Sequence, residues 1–426
     1  MQNRLTPTIA CFFLFAPLLI AQETSTKSVK AEPLSISFEL VTWNRVTALE
    51  ESVRNAWKKY LERSLAYSSN ERHILESEVI SAGLSASRPA PANSKEFELG
   101  SKVEAAWLRS PETQVLAKTM LSYQTPTGGW SKAIDYAKGS RAAGTHWTSQ
   151  SGKGWHYCGT LDNRATTEQI RFLAWMNSVE PSDDCRTGAE RGLRWVLDAQ
   201  FPNGGWPQVY PLESGYHEAI TLNDDAMLHA IQLLLAVSEK SPPFEWVDES
   251  LRSRVEAAAT KGIECLLRAQ VVIDGNLTVW CAQHDPITLE PVAARKKEPP
   301  SLSGGESANI VKFLMREAPD TPAIRKSISA AVAWFEQYKV TGLRQTKNEQ
   351  GKTDYIPDST STEVRWARFY DLKTLQPIFA GGQDGVIYNS FSEMAKNNKV
   401  GYDYFTARPG DIISKEVERW KKRKKE

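Results

Sequence analysis

The chain lacks an excess of charge of either sign. Its 426 residues include 52 Lys and Arg against 51 Asp and Glu, which gives a formal net charge of +1. Charges that nearly cancel create no global field to attract nucleic acid or an anionic membrane surface. Neither is therefore expected as a partner.

Cysteine is scarce, with five in the whole chain. No two of them have the spacing of a zinc-binding pair, so no zinc site is predicted. Cys11 lies in a segment that we expect to be removed. The other four, Cys158, Cys185, Cys265 and Cys281, leave two alternatives open, which are disulfide bonds in one of three pairings or buried free thiols.

Long hydrophobic runs are confined to the N-terminus, where residues 9–20 are mostly apolar. This run follows Arg4, precedes the small residue Ala21 and is too short to cross a bilayer. The pattern is typical of a secretory signal peptide at residues 1–21. We therefore expect a secreted protein, periplasmic or extracellular, that has no membrane association after cleavage.

Val/Ile-rich strands that alternate with helices are missing, which argues against a parallel sheet. Residues 22–94 are instead predicted to form a helical N-terminal region that ends in a Pro-rich linker at 85–94. Residues 95–426 are predicted to form the main domain. The N-terminal region shows no pattern of catalytic or binding residues.

A turn rich in Gly and Trp recurs after helical segments. It reads "YQTPTGGWSK" at residues 123–132 and "AQFPNGGWPQVYP" at 199–211, and a degraded copy is "IECLLRAQVVIDGNLTVW". The glutamines of the three copies, Gln124, Gln200 and Gln270, are 76 and 70 residues apart. This spacing predicts an internal repeat of about 70 residues.

Each repeat contains a second helical segment, and the middle one, "LNDDAMLHAIQLLLAVSE", is apolar nearly all round. Such a helix is buried on every side, whereas the Gln-terminated helices keep a polar face. The alternation predicts a mainly α fold, an α/α toroid of about three inner and outer helix pairs with irregular loops and few short strands. The Gly/Ser-rich segment at 137–160 is longer than a compact fold requires, which is typical of a functional loop.

Acidic residues open each predicted inner helix, at Asp162, Asp224 and Glu306. Two interpretations stay open. Asp and Glu are ordinary residues at helix N-termini, where they cap the helix and favour its dipole. Carboxylates that converge at one end of a cup would equally supply the hard oxygen ligands that calcium prefers.

Basic residues follow in two places. Arg295 lies in a proline-framed segment, and Arg365 and Arg368 lie among aromatic residues in "EVRWARFYDL". One explanation is that these basic side chains lie on a solvated surface. The other is recognition of a carboxylated sugar polymer by guanidinium groups and aromatic rings.

Six motifs together carry a family resemblance. They are "TPTGGWSK", "TLDNRATTEQI", "LNDDAM", "VWCAQHDPITLEPVAAR", "PPSLSGGES" and "RWARFYDL". In this order they resemble the family-ten polysaccharide lyases, pectate lyases with an α/α toroid fold, over roughly residues 100–410. The resemblance implies a pectate lyase that cleaves polygalacturonate by calcium-assisted β-elimination and gives 4,5-unsaturated oligogalacturonides.

The resemblance also implies roles for single residues. Asp162 and Asp224 correspond to acids that hold the Ca²⁺ cofactor with the substrate carboxylate, and Arg295 corresponds to the Brønsted base. Lys132 and Arg368 correspond to substrate-binding positions, and Arg365 in the same basic motif is predicted to bind substrate as well. A monomer is expected.

The chain departs from the family pattern at Lys296–Lys297, at Gln383 and at Asn398–Lys399. Affinity, subsite preference or the tolerated uronate can therefore differ. Two other functions stay open, an inverting glycoside hydrolase in which two carboxylates activate water, and a non-catalytic protein that binds uronate polymers. An ultraviolet-absorbing product that a chelator abolishes would distinguish a lyase from both.

Overall fold

Helices are the main regular structure of the described residues, and the strands are few and short. The structure, a computed structural model, describes residues 38–100, 102–150, 158–349, 351–400 and 402–423. The predicted signal peptide at 1–21 lies outside the described residues, as do residues 22–37 and the part of the long loop at 151–157.

The α-helices have the following bounds. They are α1 (Trp43–Thr47), α2 (Glu51–Ser81), α3 (Ala105–Leu108), α4 (Pro111–Ser122), α5 (Thr167–Val179), α6 (Asp183–Ala199), α7 (Ala226–Ser238), α8 (Glu249–Arg268), α9 (Gly304–Arg316), α10 (Pro322–Gln337), α11 (Phe391–Asn397), α12 (Arg408–Asp411) and α13 (Val417–Arg423), with a π-helical turn at Ile412–Glu416 between the last two.

The strands are short and pair two by two, all antiparallel. Their bounds are β1 (Ile220–Thr221), β2 (Val272–Ile273), β3 (Asn276–Leu277), β4 (Gln283–His284), β5 (Leu343–Lys347), β6 (Thr353–Pro357), β7 (Trp366–Ala367), β8 (Phe379–Ala380), β9 (Ile387–Tyr388) and β10 (Phe405–Thr406). The pairs are β1–β4, β2–β3, β5–β6, β7–β10 and β8–β9.

The helices of the repeats form two layers. Helices α4, α6, α8 and α10 form the outer layer and contact one another in that order, while α5, α7 and α9 form the inner layer and each packs on the outer helix that follows it. The predicted mainly α fold, an α/α toroid with three inner and outer pairs, is confirmed.

The helices of the two layers differ at their N-termini. The residue just before each outer helix has a side chain that accepts a hydrogen bond from the backbone N–H three residues later. This bond satisfies one of the unpaired donors of the first turn. These caps are Ser110, Ser182, Asp248 and Thr321. The residues at the same position of α5, α7 and α9, namely Thr166, Asp225 and Ser303, make no such bond.

The three repeat glutamines make equivalent hydrogen bonds. In each copy the side-chain amide donates to a carbonyl of its own turn and to a carbonyl of the next outer helix. The acceptors are Gly128 (2.8 Å) and Gly188 (2.9 Å) for Gln124, Gly204 (3.0 Å) and Ala258 (2.9 Å) for Gln200, and Thr278 (2.8 Å) and Ser327 (3.1 Å) for Gln270. Each glutamine thus joins one repeat to the next.

The tryptophans of the turns are buried, and their indole N–H groups donate to carbonyls in the last turns of the outer helices. The pairs are Trp130 with Met120, Trp206 with Val196, Trp280 with Leu266 and Trp366 with Phe335, each at 2.8 Å. Carbonyls at helix ends lack a partner within the helix, and these indoles supply one. The last pair is a fourth copy of this hydrogen bond, with its acceptor Phe335 in the last turn of α10.

The glycines of the turns are required by close backbone approach. Gly128 and Gly204 have φ of +109° and +97°, and an added Cβ would lie 2.5 Å from the Arg191 carbonyl oxygen and 2.1 Å from that of Lys261. Only glycine adopts such a conformation at no steric cost and leaves room for the neighbouring chain. The two Gly-Gly-Trp turns therefore close α4 against α6 and α6 against α8.

The N-terminal region packs along the toroid. The Tyr60 hydroxyl of α2 donates to the Ala199 carbonyl at 3.1 Å, and Arg63 donates to the Asp198 carbonyl at 2.8 Å. Residues 88–93, within the predicted linker, hydrogen-bond with the backbone of residues 133–148. The domain boundaries at 94 and 95 stay a prediction.

Cys158, Cys185, Cys265 and Cys281 are buried free thiols, which decides between the two alternatives for them. Among the described residues, no helix is long and apolar enough to cross a membrane.

Candidate active site

A cavity of about 160 Å³ lies where the inner helices begin. It is lined by Lys132, Asp162, Asn163, Gln208, Tyr216, Asn223, Asp224, Gln283, Arg295 and Glu298. Four of the six predicted site residues, Lys132, Asp162, Asp224 and Arg295, thus lie together. Charged and amide side chains dominate its wall, so its occupant must be polar.

Two short 3₁₀ turns, Asp162–Arg164 before α5 and Asn223–Asp225 before α7, carry the acids into this cavity. The turns are equivalent. The backbone N–H of Leu161 and Leu222, just before them, donates to carbonyls of the following repeat, Gln208 at 3.0 Å and Ala282 at 2.9 Å.

The second residue of each turn has a left-handed backbone, with φ of 51° at Asn163 and 52° at Asp224. Asp162 therefore corresponds to Asn223, and Asn163 corresponds to Asp224. The two carboxylates occupy successive rather than identical positions of the repeat, so both side chains reach the same cavity without being copies of one another.

Neither carboxylate caps an inner helix, because the capping positions belong to Thr166 and Asp225. This removes helix capping as the explanation for Asp162 and Asp224. Asp162 forms a hydrogen-bonded ion pair with Lys132. Burial raises the pKa of Asp224, and the negative charges of Asp162 and Glu306 raise it further. A cation would relieve that repulsion.

Arg295 is held by Glu298, a buried carboxylate three residues later. Its Nε and Nη2 donate to the two carboxylate oxygens at 2.8 and 2.5 Å, and its backbone N–H donates to Oε2 at 3.0 Å. The Tyr402 hydroxyl donates to the same carboxylate at 2.5 Å. The bond to Glu298 raises the pKa of Arg295 above its already high ordinary value.

Arg368 lies beside this cavity and lines a second one of about 500 Å³. It donates to the Asn223 side-chain oxygen at 3.0 Å, lies 3.2 Å from the Glu306 carboxylate and stacks over Tyr402 at 4.5 Å. The two cavities share Asn163 and Asp224. The larger one is also lined by Glu96, Phe97, Glu98, Arg164, Asp225, His229, Glu306, Asn309 and Arg408.

The structure does not bring Arg365 to this site. Its guanidinium lies over the Tyr355 ring at 5.5 Å and pairs with Glu363 at 2.6 Å. Arg365 lines neither of the two cavities around Asp224. Its role in substrate binding stays a prediction.

Sequence reasoning missed Glu298, Tyr216 and Tyr402. Glu298 carried a signal, because an acid three residues after Arg295 in the segment "ARKKEPP" can return to pair with it. Tyr216 and Tyr402 lie with their rings 6.0 and 5.9 Å from the Arg295 guanidinium, and they come from distant loops with no pattern of their own.

The donors suit a hard cation only in part. Asp162, Asp224 and the amide oxygens of the wall are the ligand type that calcium takes, and calcium needs six to eight of them. In the described part of the chain, no three His, Cys, Asp or Glu side chains are grouped to hold a metal. The residues fit a calcium ion that also receives oxygen ligands from a bound anion and water.

A known protein family and two solved structures are similar to this chain. The model of a family described as pectic acid lyase matches residues 124–413. Two solved structures cover 72% of this chain and 93% of their own, at 31% identity. They are a family 10 polysaccharide lyase from Cellvibrio cellulosa (TM-score 0.60) and its aspartate-to-alanine mutant in complex with trigalacturonic acid (TM-score 0.61). No curated protein matches the chain.

Proposed function

The chain belongs to the pectic acid lyase family and is a polysaccharide lyase, and from that premise we propose that it cleaves polygalacturonate by calcium-assisted β-elimination. The observation that carries the proposal is the convergence of Lys132, Asp162, Asp224 and Arg295 on one cavity. The trigalacturonic acid bound to the related mutant lyase supports the substrate. The N-terminal sequence supports secretion, and we propose that the chain acts as a monomer.

Substrate binding rests on charge. Lys132 and Arg368 would bind uronate carboxylates, and guanidinium groups such as that of Arg368 make the stronger, bidentate contacts. Asp162 and Asp224 would hold calcium together with the carboxylate of the sugar that reacts. The chemistry that calcium supplies there is neutralisation of that carboxylate, which makes the adjacent C5 proton more acidic.

Arg295 would take the C5 proton. The electron pair of the C5–H bond forms the C4–C5 double bond, and the bond between C4 and the glycosidic oxygen breaks. The leaving oxygen takes up a proton and becomes a new chain end, so no water is consumed. The products are 4,5-unsaturated oligogalacturonides.

The test is ultraviolet absorbance on polygalacturonate at alkaline pH, with calcium and then with excess chelator. We expect a rise that the chelator abolishes. New reducing ends without a rise would indicate a glycoside hydrolase instead. Binding of the polymer with neither signal would indicate a non-catalytic protein.

A further inference from the structure

A short segment of the chain, residues 95–99, lines the larger cavity through Glu96, Phe97 and Glu98. The Phe97 ring packs edge-on against Phe172 and Tyr136, at 5.3 and 6.2 Å between ring centres. The Leu99 backbone N–H donates to the Glu168 carboxylate at 2.9 Å. The segment is thus fixed on the toroid, although it precedes residue 124, where the match to the family begins.

Glu96 in this segment contacts both chain stretches that carry the Lys132–Asp162 ion pair. The backbone N–H of Ala133 donates to its Oε2 at 2.5 Å, and the Asn163 side-chain amide donates to its Oε1 at 3.4 Å. Ala133 directly follows Lys132, and Asn163 directly follows Asp162. The Glu96 carboxylate therefore connects the stretch that carries Lys132 to the stretch that carries Asp162. It does so from outside the smaller cavity, which the ion pair lines.

Both residues that bond to Glu96 have an unfavourable backbone. The φ angles of Ala133 and Asn163 are 57° and 51°, in the left-handed region. A residue with a Cβ adopts this conformation at an energetic cost, and alanine, unlike asparagine, has no side chain that can compensate locally. At Ala133 the conformation must therefore be maintained by contacts beyond the residue itself, and the Glu96 carboxylate accepts from its N–H.

We propose that Glu96 is a positioning residue that fixes Lys132 and Asp162 relative to each other for substrate and cation binding. The proposal rests on the proposed function, because that function gives Lys132 and Asp162 their roles in binding substrate and cation. Glu96 itself does not line the cavity that contains the pair. It acts through the backbone of Ala133 and the side chain of Asn163.

The experiment compares Glu96→Ala and Glu96→Gln with Glu104→Ala, an exposed acid at the N-terminus of α3. We expect kcat/KM on polygalacturonate to fall about tenfold to hundredfold in Glu96→Ala, the range seen when outer partners of ligand residues are removed. Glu96→Gln should keep at least about a third of the activity, because its amide oxygen still accepts from Ala133 and its NH₂ can donate to a turned Asn163 amide. Glu104→Ala should match the unaltered chain.

Hydrogen exchange of the metal-free protein gives a readout that needs no catalysis. The Ala133 amide should exchange faster in Glu96→Ala and at the unaltered rate in Glu104→Ala. Unchanged exchange, activity within about twofold of the control, or equal damage from the Gln and Ala variants would each overturn the positioning role.

Should Glu96→Ala fail to fold, the double variant Glu96→Ala/Ala133→Gly decides. Glycine adopts the left-handed conformation at no steric cost, so folding and part of the activity should return. No recovery would overturn the proposal. Absence of any ultraviolet signal with the unaltered chain refutes the proposed function, and a Glu96→Ala variant that behaves like the control refutes the positioning role alone.

Discussion

At the scale of single residues, the charge of Arg295 governs the proposed reaction. Glu298 binds its guanidinium through two hydrogen bonds and raises its pKa. A base must be neutral to accept a proton, so only a small fraction of Arg295 is competent at neutral pH. The rate should therefore rise with pH through the alkaline range without a plateau.

Replacement of Arg295 by lysine tests this role. The lysine pKa, ordinarily about 10.4, is lower than that of arginine, so Arg295→Lys should reach a plateau near that pH. Its kcat should be lower by about a hundredfold, since the base is displaced. The check is a pH–rate series on polygalacturonate with Arg325→Lys, on the exposed face of α10, as the control. Near-normal turnover of Arg295→Lys at every pH would exclude Arg295 as the base.

Replacement of either cavity aspartate should weaken calcium binding. Asp162→Asn and Asp224→Asn each remove one of two carboxylates, and calcium affinity depends on ligand charge. We expect the calcium concentration for half-maximal rate to rise about tenfold or more. Asp183→Asn, in the exposed first turn of α6, is the matched control. An unchanged calcium dependence in both cavity variants would contradict the assignment.

Residues of this site differ in how far sequence could predict them. Asp162, Asp224, Lys132 and Arg295 lie in recognisable motifs, and the fold brings all four to one cavity. Arg365 lies three residues before Arg368 and yet pairs with Glu363 instead of lining the cavity, and its backbone forms a bridge with Val340, three residues before β5. Sequence spacing alone does not reveal toward which side of such a backbone bridge a side chain points.

At the scale of elements, the repeat acts through its glutamines. Each one connects its turn to the next outer helix by two hydrogen bonds, and Gln124 and Gln270 are buried. Each of these glutamines lies four residues after the carbonyl that accepts from the indole, and after α10 that position is Lys339. The nearby Gln337 is exposed and donates to Tyr338 instead. The series of connections therefore ends at α10 within the described residues.

Gln124→Ala should lower the free energy of unfolding by about 2 kcal/mol, because it leaves the buried carbonyls of Gly128 and Gly188 without this donor. Gln337→Ala, which removes an exposed glutamine at the end of α10, should change it by less than about 0.5 kcal/mol. Chemical denaturation of the two variants and the unaltered chain measures both values. Equal effects would show that the glutamines do not act as connectors.

The repeat explains why the toroid was predictable and why its last unit was not. Trp follows Gln by 6 residues in the first two copies and by 10 in the third, but Trp366 follows Lys339, the residue at the corresponding position, by 27. The β5–β6 hairpin and its flanking loops occupy that interval. The indole bond to Phe335 is the same as in the other copies, but an insertion of this length hides the repeat from sequence.

At the scale of the whole molecule, two buried carboxylates tie the N-terminal region to the toroid. Glu71 of α2 accepts hydrogen bonds from the backbone and hydroxyl groups of Thr127, and Glu218 of the toroid accepts from the backbone N–H of Leu40 and Val41. Burial raises the pKa of each from 4.5 to about 7, more than these hydrogen bonds lower it.

These raised pKa values make the attachment weaker at alkaline pH. Between pH 4.5 and 7 the folded chain binds protons that the unfolded chain has lost, so stability falls as the pH rises through this window. Each group can contribute a loss of up to about 3 kcal/mol, fully present above its folded pKa. The alkaline pH that favours the proposed base therefore also ionises these two buried carboxylates and lowers the stability of the fold.

Glu71→Gln should therefore stabilise the chain at pH 9, by about 2 kcal/mol, and leave its stability at pH 4 nearly unchanged. Both bonds from Thr127 go to a single oxygen of Glu71, so the glutamine oxygen can replace it. Denaturant unfolding at both pH values, with the exposed Glu76→Gln of α2 as control, measures the difference. A variant that is no more stable than the control at pH 9 would show that Glu71 stays ionised at little cost.

The packing of α2 also sets the order in which the molecule can form. Arg63 bonds to Asp198 and Tyr210, which follow it by 135 and 147 residues, and the apolar face with Trp57, Tyr60 and Leu61 belongs to the same core. A ribosome adds roughly 5–20 residues per second, so about 7 to 30 seconds pass between the synthesis of these side chains and that of their partners. Helix α2 is therefore the first long element to be made, and its apolar face stays exposed until α6 and the turn that follows it exist.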